Sequence, residues 1–339
     1  MSKSKYLFLV LVFLSLYSCK ENEFKGKSKE IKPVHIVRFD VDLKEMNASN
    51  FQSINQKLWQ NHPDIYPFYC RDLMGVRGFS KEMSGNMGDM MIPFLAGEYA
   101  ALYDSCDKIY HDISPVETEL QDAFEHYAFH FPKRKTPVVY SMIISPNHYD
   151  VSAFNYGTDT IGINLFRYLG ENFSFYEGLY DKYWHKWQTK EYISRNVMLV
   201  LFQAHQNEDR RNLELIYEMI EAGKKLYYLD AMIPEKEDHI KIGYSEKQLE
   251  WCIKNETEIW KFFVENKLLY SLDNMDYKRM IQEGPTTAGM PAESPGMVGA
   301  WVGWQIVRKY MKDHPKSLEE LIYKTDPKKI LKEAGYKPQ

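Results

Sequence analysis

The stretch that decides the fold covers residues 198–227 and reads MLVLFQAHQNEDRRNLELIYEMIEAGKKLY. Apolar side chains recur every three to four positions in its first part and just before it, which predicts a helix over 193–205. The second part predicts another helix, which carries Glu221-Ala222-Gly223. The core-facing side chains that the first pattern predicts are Ile193, Val197, Val200, Leu201 and Ala204. The sequence therefore predicts two core helices, the first of which ends at a histidine.

This arrangement has the outline of the metal-binding segment of a zinc peptidase. Such a segment needs His-Glu-x-x-His, because this spacing puts two imidazoles on one helix face and supplies a glutamate as general base. A following helix provides the third ligand, in many such enzymes a glutamate beside glycine or alanine. Here the frame reads Leu201-Phe202-Gln203-Ala204-His205, and Glu221 stands where the third ligand is expected. Leucine occupies the first ligand position and phenylalanine the position of the base.

These substitutions predict a degenerate site, at Leu201, Phe202, His205 and Glu221, that is not catalytic. Leucine cannot bind a metal and phenylalanine cannot accept a proton, so we expect no catalytic residue, no metal ligand and no cofactor. Residues 193–205 are then a core helix, which is compatible with a zinc-peptidase relative that has lost its metal. The alternative is an active zinc peptidase with ligands elsewhere, such as His126 and His130 with a glutamate. These histidines have the i, i+4 spacing, but Tyr127 occupies the position of the base.

The N-terminus reads MSKSKYLFLVLVFLSLYSC and predicts a lipoprotein signal peptide over residues 1–18. Lys3 and Lys5 precede an apolar run that is shorter than the ~20 residues needed to span a bilayer. The run ends in Leu16-Tyr17-Ser18-Cys19, so we expect Cys19 to be kept and acylated as the lipid anchor. Residues 19–33 are polar and predict a flexible tether.

The net charge limits the classes of partner, and the number of cysteines limits the number of disulfides. The net charge of −4 becomes −6 once residues 1–18 and their two lysines are removed. A mildly acidic chain without a basic tract argues against nucleic acid or an anionic lipid surface as a partner. If Cys19 carries lipid, three thiols remain and allow at most one disulfide, among Cys70, Cys106 and Cys252.

The remaining patterns predict one α+β domain over residues 34–339, predominantly helical, with a small N-terminal sheet and a helical C-terminal half. The segments 34–42 and 136–145 predict strands, and 152–166 predicts two strands around a Tyr-Gly-Thr-Asp turn. Residues 62–92 predict a long irregular loop. The main predicted helices cover 49–61, 93–105, 114–129, 245–266, 294–313 and a last segment capped by Asp326-Pro327. Gly299 and Gly303 lie one turn apart, which predicts a close helix–helix contact.

Several motifs resemble the family of GldB lipoproteins, which serve gliding motility in bacteria with type IX secretion. The matching segments are Arg38-Phe-Asp40, Tyr168-Leu-Gly170 with Phe175-Tyr176, EAGKKLYYLDAMIP (221–234), NETEIWKFFVENKLLYS (255–271), SPGMVGAWVGWQIVRKYM (294–311) and KILKEAGYKP (329–338). Met297 departs from the family pattern, which favours a basic residue there. The family in turn looks like a group of predicted zinc peptidases.

This resemblance implies a zincin-like fold reused without its chemistry. It implies a non-catalytic scaffold or partner-binding lipoprotein of the gliding and type IX secretion machinery. The implied partners are other envelope proteins and the membrane through the Cys19 lipid, not nucleic acid. The implied location is the cell envelope, in the outer rather than the inner membrane.

Overall fold

The structure is a computed structural model that describes residues 23–76, 78–82, 88–97, 99–144, 151–204 and 213–338. The predicted signal peptide, Cys19 and His205 lie outside these residues. Within them the chain is mostly helical, with a small mixed sheet built from the first half of the sequence. The coarse α+β prediction is therefore confirmed.

The sheet has four strands in the order β1-β2-β4-β3. They are β1 (Ile36–Arg38), β2 (Val138–Met142), β3 (Ala153–Tyr156) and β4 (Thr160–Asn164). β2 is parallel to both β1 and β4, while β3 is antiparallel to β4. The turn between β3 and β4 contains Gly157 with a φ of 63°, a left-handed conformation that glycine adopts without strain. The predicted hairpin within 152–166 is confirmed.

The first predicted strand is much shorter than residues 34–42. The chain leaves the sheet after Arg38 and forms helix α1 (Phe39–Lys44). Arg38 donates to both carboxylate oxygens of Asp40, at 3.1 and 2.8 Å, and to the carbonyl oxygen of Tyr110 at 2.7 Å. The hydroxyl of Ser141 on β2 donates to the same buried carboxylate. Alternation alone predicted a strand here, but these tertiary bonds hold the chain in a turn and a helix.

The other helices follow in chain order. They are α2 (Phe51–Asn61), α3 (Ile65–Phe68), α4 (Gly88–Ala96), α5 (Ala100–Ile109), α6 (Ser114–His130), α7 (Ile193–Gln203), α8 (Leu215–Met232), α9 (Asp238–Ile242), α10 (Glu246–Lys254), α11 (Glu256–Glu265), α12 (Asn274–Ile281), α13 (Val298–Asp313), α14 (Leu318–Lys324) and α15 (Pro327–Ala334). None of these helices has both the length and the apolar character that crossing a bilayer requires.

Long single helices were predicted best, and interrupted ones worst. α2 and α6 lie close to their predicted bounds. α13 ends at Asp313 as predicted but begins at Val298 rather than at 294, and 245–266 is two helices rather than one. The predicted capping box of Ser245 and Gln248 is present, but the chain breaks at Asn255, whose φ is −109° and whose side chain donates to the carbonyl of Trp251. The predicted helix over 93–105 is also divided, between α4 and α5. The irregular loop predicted over 62–92 contains α3 and a π-helical turn from Tyr69 to Leu73.

Helices α8 and α13 cross at backbone contact in the centre of the C-terminal half. A Cβ atom on Gly303 would overlap the carbonyl oxygen of Met219, and one on Gly223 would overlap the carbonyl group of Gly303. Gly299 lies against the Met280 carbonyl, where a Cβ atom would come within 2.8 Å. The close contact predicted from Gly299 and Gly303 is confirmed. The same crossing explains why the residue at position 223, two residues after Glu221, is a glycine.

The three cysteines in the described residues are buried and free, so they form no disulfide with one another. Burial raises the pKa of each thiol, that of Cys252 to about 12. These thiols therefore remain protonated at neutral pH and are shielded from reagents in solution.

Candidate functional site

Helices α7 and α8 form one wall of a cleft of about 450 Å³. The opposite wall consists of α12, the residues that follow it and the start of α13. The charged side chains that line the cleft are Arg195, Glu218, Glu221, Lys225 and Glu283. Phe202 and Ala222 form part of its apolar floor. The cleft thus lies over the two helices in which the sequence placed a degenerate peptidase site.

The first two positions of that degenerate site are part of the hydrophobic core. Leu201 is 3% exposed and Phe202 is 1% exposed. The ring of Phe202 packs on that of Tyr228 from α8, with the ring centroids 5.2 Å apart. Ala204 is exposed at the end of α7, and Val200 is only half-buried, so the predicted buried face is wrong at these two residues. The face that is buried is formed by Ile193, Val197, Met198, Leu201 and Phe202.

The other two positions of the predicted degenerate site are Glu221, which the structure describes, and His205, which it does not. Glu221 is half-buried, and one carboxylate oxygen accepts a hydrogen bond from Lys224 at 2.8 Å. Lys224 is almost fully buried and also donates to the carbonyl oxygen of Thr325 at 2.7 Å. His205 lies outside the described residues, so its proximity to Glu221 stays a prediction.

The cation at the end of the cleft near α9 is Arg195. Arg195 donates to the carbonyl oxygen of Lys241 and to the side-chain oxygen of Asn196, both at 2.9 Å. Burial lowers the pKa of Arg195, and the carboxylate of Glu283 opposes this effect. Lys186 interacts with Arg195 and Glu283 but is not among the residues that line the cleft. Burial lowers its pKa to about 8, an effect that Glu283 opposes and Arg195 reinforces. This end of the cleft therefore combines fixed positive charge with one exposed carboxylate.

The far end of α8 carries a network of charges that the sequence analysis missed. Arg308 donates to both oxygens of Asp230, at 2.8 and 2.7 Å, and to both oxygens of Asp238, at 2.6 and 2.9 Å. The buried ammonium of Lys241 lies 3.0 Å from Asp230, and the indole of Trp304 donates to Asp230 at 2.8 Å. The guanidinium of Arg308 also lies over the Trp304 ring, 3.7 Å from its centroid. A buried charge requires a partner, so Asp230 and Arg308 within two apolar helices were the available signal.

The alternative histidine ligands face the N-terminal segment of the chain. Nδ1 of His126 lies 3.0 Å from the carbonyl oxygen of Lys27, and the His130 ring packs edge-on against Phe24. Burial lowers the pKa of both imidazoles, that of His130 to about 4. Within the described residues, only Glu237, His239 and Glu246 bring three potential metal-ligand atoms within 4.8 Å of one another. That group lies at the surface and does not line the cleft.

Comparison with protein families gives one informative match. The family model described as gliding motility protein GldB, whose label marks lipoproteins, matches residues 21–338. Neither the curated proteins nor the solved structures contain a match to this chain. The family match covers the sheet, the cleft and the charge network of α8 together. The chain therefore belongs to the GldB family of gliding-motility lipoproteins.

Proposed function

We propose that this chain is a non-catalytic envelope lipoprotein that binds a polypeptide partner of the gliding and type IX secretion machinery in the α7–α8 cleft. The observation that carries the proposal is the burial of Leu201 and Phe202 beside an accessible cleft, whose lining includes Phe202. In this proposal, core side chains occupy the two positions where a zinc peptidase would have its first ligand and its base.

The chemistry of these two residues accounts for the absence of catalysis in this proposal. Zinc requires imidazole, thiolate or carboxylate ligands, and activation of its water requires a nearby base. Burying a leucine or phenylalanine stabilises a protein by ~1.5–3 kcal/mol, so the former site would now contribute to folding. We propose on this basis that the domain is a zincin-like fold without zinc.

The shape and charge of the cleft support polypeptide binding. Its volume of about 450 Å³ falls in the range of ordinary ligand pockets. It presents carboxylates and cations beside an apolar floor, so it can pair with side chains of either charge. Such mixed lining suits a segment of another protein better than a uniformly charged ligand.

The proposed location follows from the predicted anchor. Acylation of Cys19 would attach the domain to the membrane, and we place it in the outer membrane. Cys19→Ser should release the protein into the soluble fraction and stop fatty-acid labelling. Unchanged labelling of this variant would contradict the assignment of the anchor.

The binding role is tested by filling the cleft. Ala222→Trp places a large side chain in the cleft lining, and Glu283→Lys reverses its exposed carboxylate. Glu265→Lys is the matched control, because Glu265 is exposed on α11 and is not among the residues that line the cleft. Each variant, tagged after Gln339, is purified from the envelope and its co-purifying proteins are compared with those of the wild type.

We expect both cleft variants to lose a defined co-purifying protein while their melting temperatures stay near that of the control. An unchanged set of partners in both would show that the cleft is not the binding surface. The same preparations are assayed for zinc and for peptide cleavage. Stoichiometric zinc with cleavage that a chelator abolishes would instead establish the alternative, an active metallopeptidase.

A further inference from the structure

Residues 23–36 lie along α6, and we refer to them as the N-terminal strap. The backbone N–H groups of Ile36 and Val34 each donate to a side chain of α6, Glu117 and Gln121, at 2.8 Å. Further toward the N-terminus, the N–H of Lys29 donates to the carbonyl oxygen of Glu125 at 3.1 Å. The strap therefore runs antiparallel to α6 and reaches its C-terminal end. This part of the predicted tether is packed on the domain rather than extended from it.

Phe24 fixes the free end of the strap. Its side chain is 6% exposed and packs edge-on against His130 of α6 and Tyr227 of α8, with centroid distances of 5.5 and 5.4 Å. The Tyr227 hydroxyl donates to the carboxylate of Glu23 at 2.8 Å. Lys25 forms an ion pair with Glu235, also at 2.8 Å. A buried aromatic ring with polar bonds on both sides holds the chain firmly at this point.

The position of Phe24 limits where the lipid anchor can be. Glu23 follows Cys19 by four residue steps, which span at most ~14 Å when fully extended. A strap free as far as Ile36 would instead allow ~60 Å between the lipid and the domain. The bilayer surface must therefore lie close to the place where α6 ends beside Tyr227.

The surface around that place suits a lipid–water interface. Phe129 is 45% exposed and Tyr323 is 37% exposed, so both present aromatic surface to the solvent. Lys133 and Arg134 are exposed just after α6, and Arg134 interacts with the phenol of Tyr323. Aromatic and basic side chains are the ones enriched where proteins meet bilayer headgroups. The net charge of the whole chain, which is acidic, does not reveal these aromatic and basic side chains.

We propose that the strap turns the C-terminal end of α6 toward the bilayer, so that Phe129, Lys133, Arg134 and Tyr323 contact lipid headgroups. These four residues form the membrane-facing surface. The inference rests on the lipid at Cys19, which belongs to the proposed function, and is independent of the cleft. It assigns the domain one fixed orientation on the membrane instead of free rotation on a long tether.

The test uses the full lipidated protein in vesicles of phosphatidylethanolamine and phosphatidylglycerol that contain a nitroxide-headgroup lipid as quencher. One fluorophore is attached to Phe129→Cys, and in a second protein to His111→Cys, an exposed position before the start of α6. The seventeen residues of α6 place these labels ~25 Å apart. Cys70, Cys106 and Cys252 remain unlabelled because all three are 0% exposed.

We expect strong quenching at position 129 and only background quenching at position 111. Two further variants then lengthen the connection to the lipid. Phe24→Ser releases the strap, with Ser28→Ala as its control at an exposed strap position. An insertion of about ten Gly and Ser residues after Lys20 adds ~35 Å of reach without changing any strap contact, so it does not depend on the stability of the Phe24 variant.

Both changes should reduce quenching at position 129 to the level found at 111, while the control retains the wild-type value. Equal quenching at the two positions in the wild type would overturn the proposal, as would full quenching at 129 with the insertion. Fatty-acid labelling is measured in parallel. A wild-type protein without the label would instead overturn the Cys19 anchor, which separates failure of the proposed function from failure of the orientation.

Discussion

Two acidic side chains on one helix have opposite environments. Asp230, near the end of α8, is 5% exposed in its side chain and accepts hydrogen bonds from Arg308, Lys241 and Trp304. Glu221, at the cleft, is 28% exposed and has a bond from Lys224 on the same helix. The first carboxylate connects α8, α9 and α13, whereas the second faces a space that another molecule can enter.

This difference separates a structural charge from an available one. A carboxylate with several fixed donors in a dry environment is strongly coupled to the fold. Removing the charge of Asp230 leaves Arg308 and Lys241 with only Asp238 as their carboxylate partner. Glu221 is partly solvated, so removing its charge disturbs one buried cation, Lys224, which keeps its bond to the Thr325 carbonyl. The cost should therefore be smaller than at Asp230. Of the two carboxylates, Glu221 is therefore the one whose charge this protein can alter at the lower cost in stability.

The largest expected effect comes from breaking the Asp230 network. Asp230→Asn keeps the shape of the side chain but leaves Arg308 and Lys241 with less than their full countercharge. We expect the free energy of unfolding to fall by ~3–5 kcal/mol, measured by urea denaturation. Asp313→Asn is the control, since Asp313 forms an exposed pair with Lys309 on α13. Equal losses in the two variants would show that the buried network has no special role.

The second effect concerns the close contact between α8 and α13 at Gly223 and Gly303. Gly303→Ala introduces a Cβ atom where the Met219 carbonyl lies, so the helices must separate. We expect a loss of ~1–3 kcal/mol in stability, measured as a lower melting temperature. Gly284→Ala is the control, because the nearest atom to its added Cβ would be 3.7 Å away. A wild-type melting temperature for Gly303→Ala would contradict the observed packing.

The third effect is a pH dependence on the side of α8 that contacts the strap. Burial lowers the pKa of His130 to about 4, and repulsion from His126 and Lys27 adds to this shift. The unfolded chain binds this proton near pH 6.5, so stability is fully present above that value and is lost as the pH falls toward 4. We expect His130 to contribute ~1–3 kcal/mol to this loss. The measurement compares denaturation curves of wild type and His130→Phe, which keeps a ring against Phe24.

The contribution of His130 is the difference between these two pH profiles, because carboxylates titrate in both proteins. His111→Phe, at an exposed position, serves as the control and should retain the wild-type profile. If His130→Phe loses stability as steeply as the wild type between pH 6.5 and 4, the buried imidazole is not the source.

The smallest expected effect is at the cleft. Glu221→Gln removes the charge that Lys224 meets, but Lys224 keeps its bond to the Thr325 carbonyl. Lys224 is buried, but the amide oxygen of glutamine can still accept its hydrogen bond. We therefore expect stability to fall by ~1–2 kcal/mol, less than in Asp230→Asn. If the cleft holds a partner, the same variant should weaken co-purification. A stability loss as large as that of Asp230→Asn would remove the distinction between the two ends of α8.

Local patterns predicted much of the fold, for identifiable reasons. The hairpin of 152–166 and helices such as α6 were recoverable because their periodicity, turn glycine and capping proline act over a few residues. The strand over 34–42 was overextended because its end is set by bonds of Arg38 to Tyr110 and of Asp40 to Ser141, partners that are distant in sequence. Gly299 and Gly303 indicated a crossing, but their partner Gly223 could not be identified without the structure.

For the candidate site, too, residue types could be interpreted from the sequence, whereas the packing around them could not. The types of residue at positions 201 and 202 already excluded a ligand and a base there, since side-chain chemistry is a property of the sequence alone. The sequence could not reveal that a cleft remains over these residues, or that Asp230 is buried with Arg308 and Lys241. A cleft and an ion network are formed by segments far apart in the chain, so their existence depends on packing.

The sequence by itself determined the family, the helical character of the second half, the expected lipid anchor at Cys19 and the apolar residues at the degenerate site. Each of these depends on residue type or on spacing within one segment. Only the tertiary structure decided that the N-terminal strap packs against α6, that Phe24 is held between His130 and Tyr227, and that Glu221 faces a cleft while Asp230 does not. The physical reason is that burial and pairing of a side chain are set by its neighbours in space, which the order of residues does not specify locally.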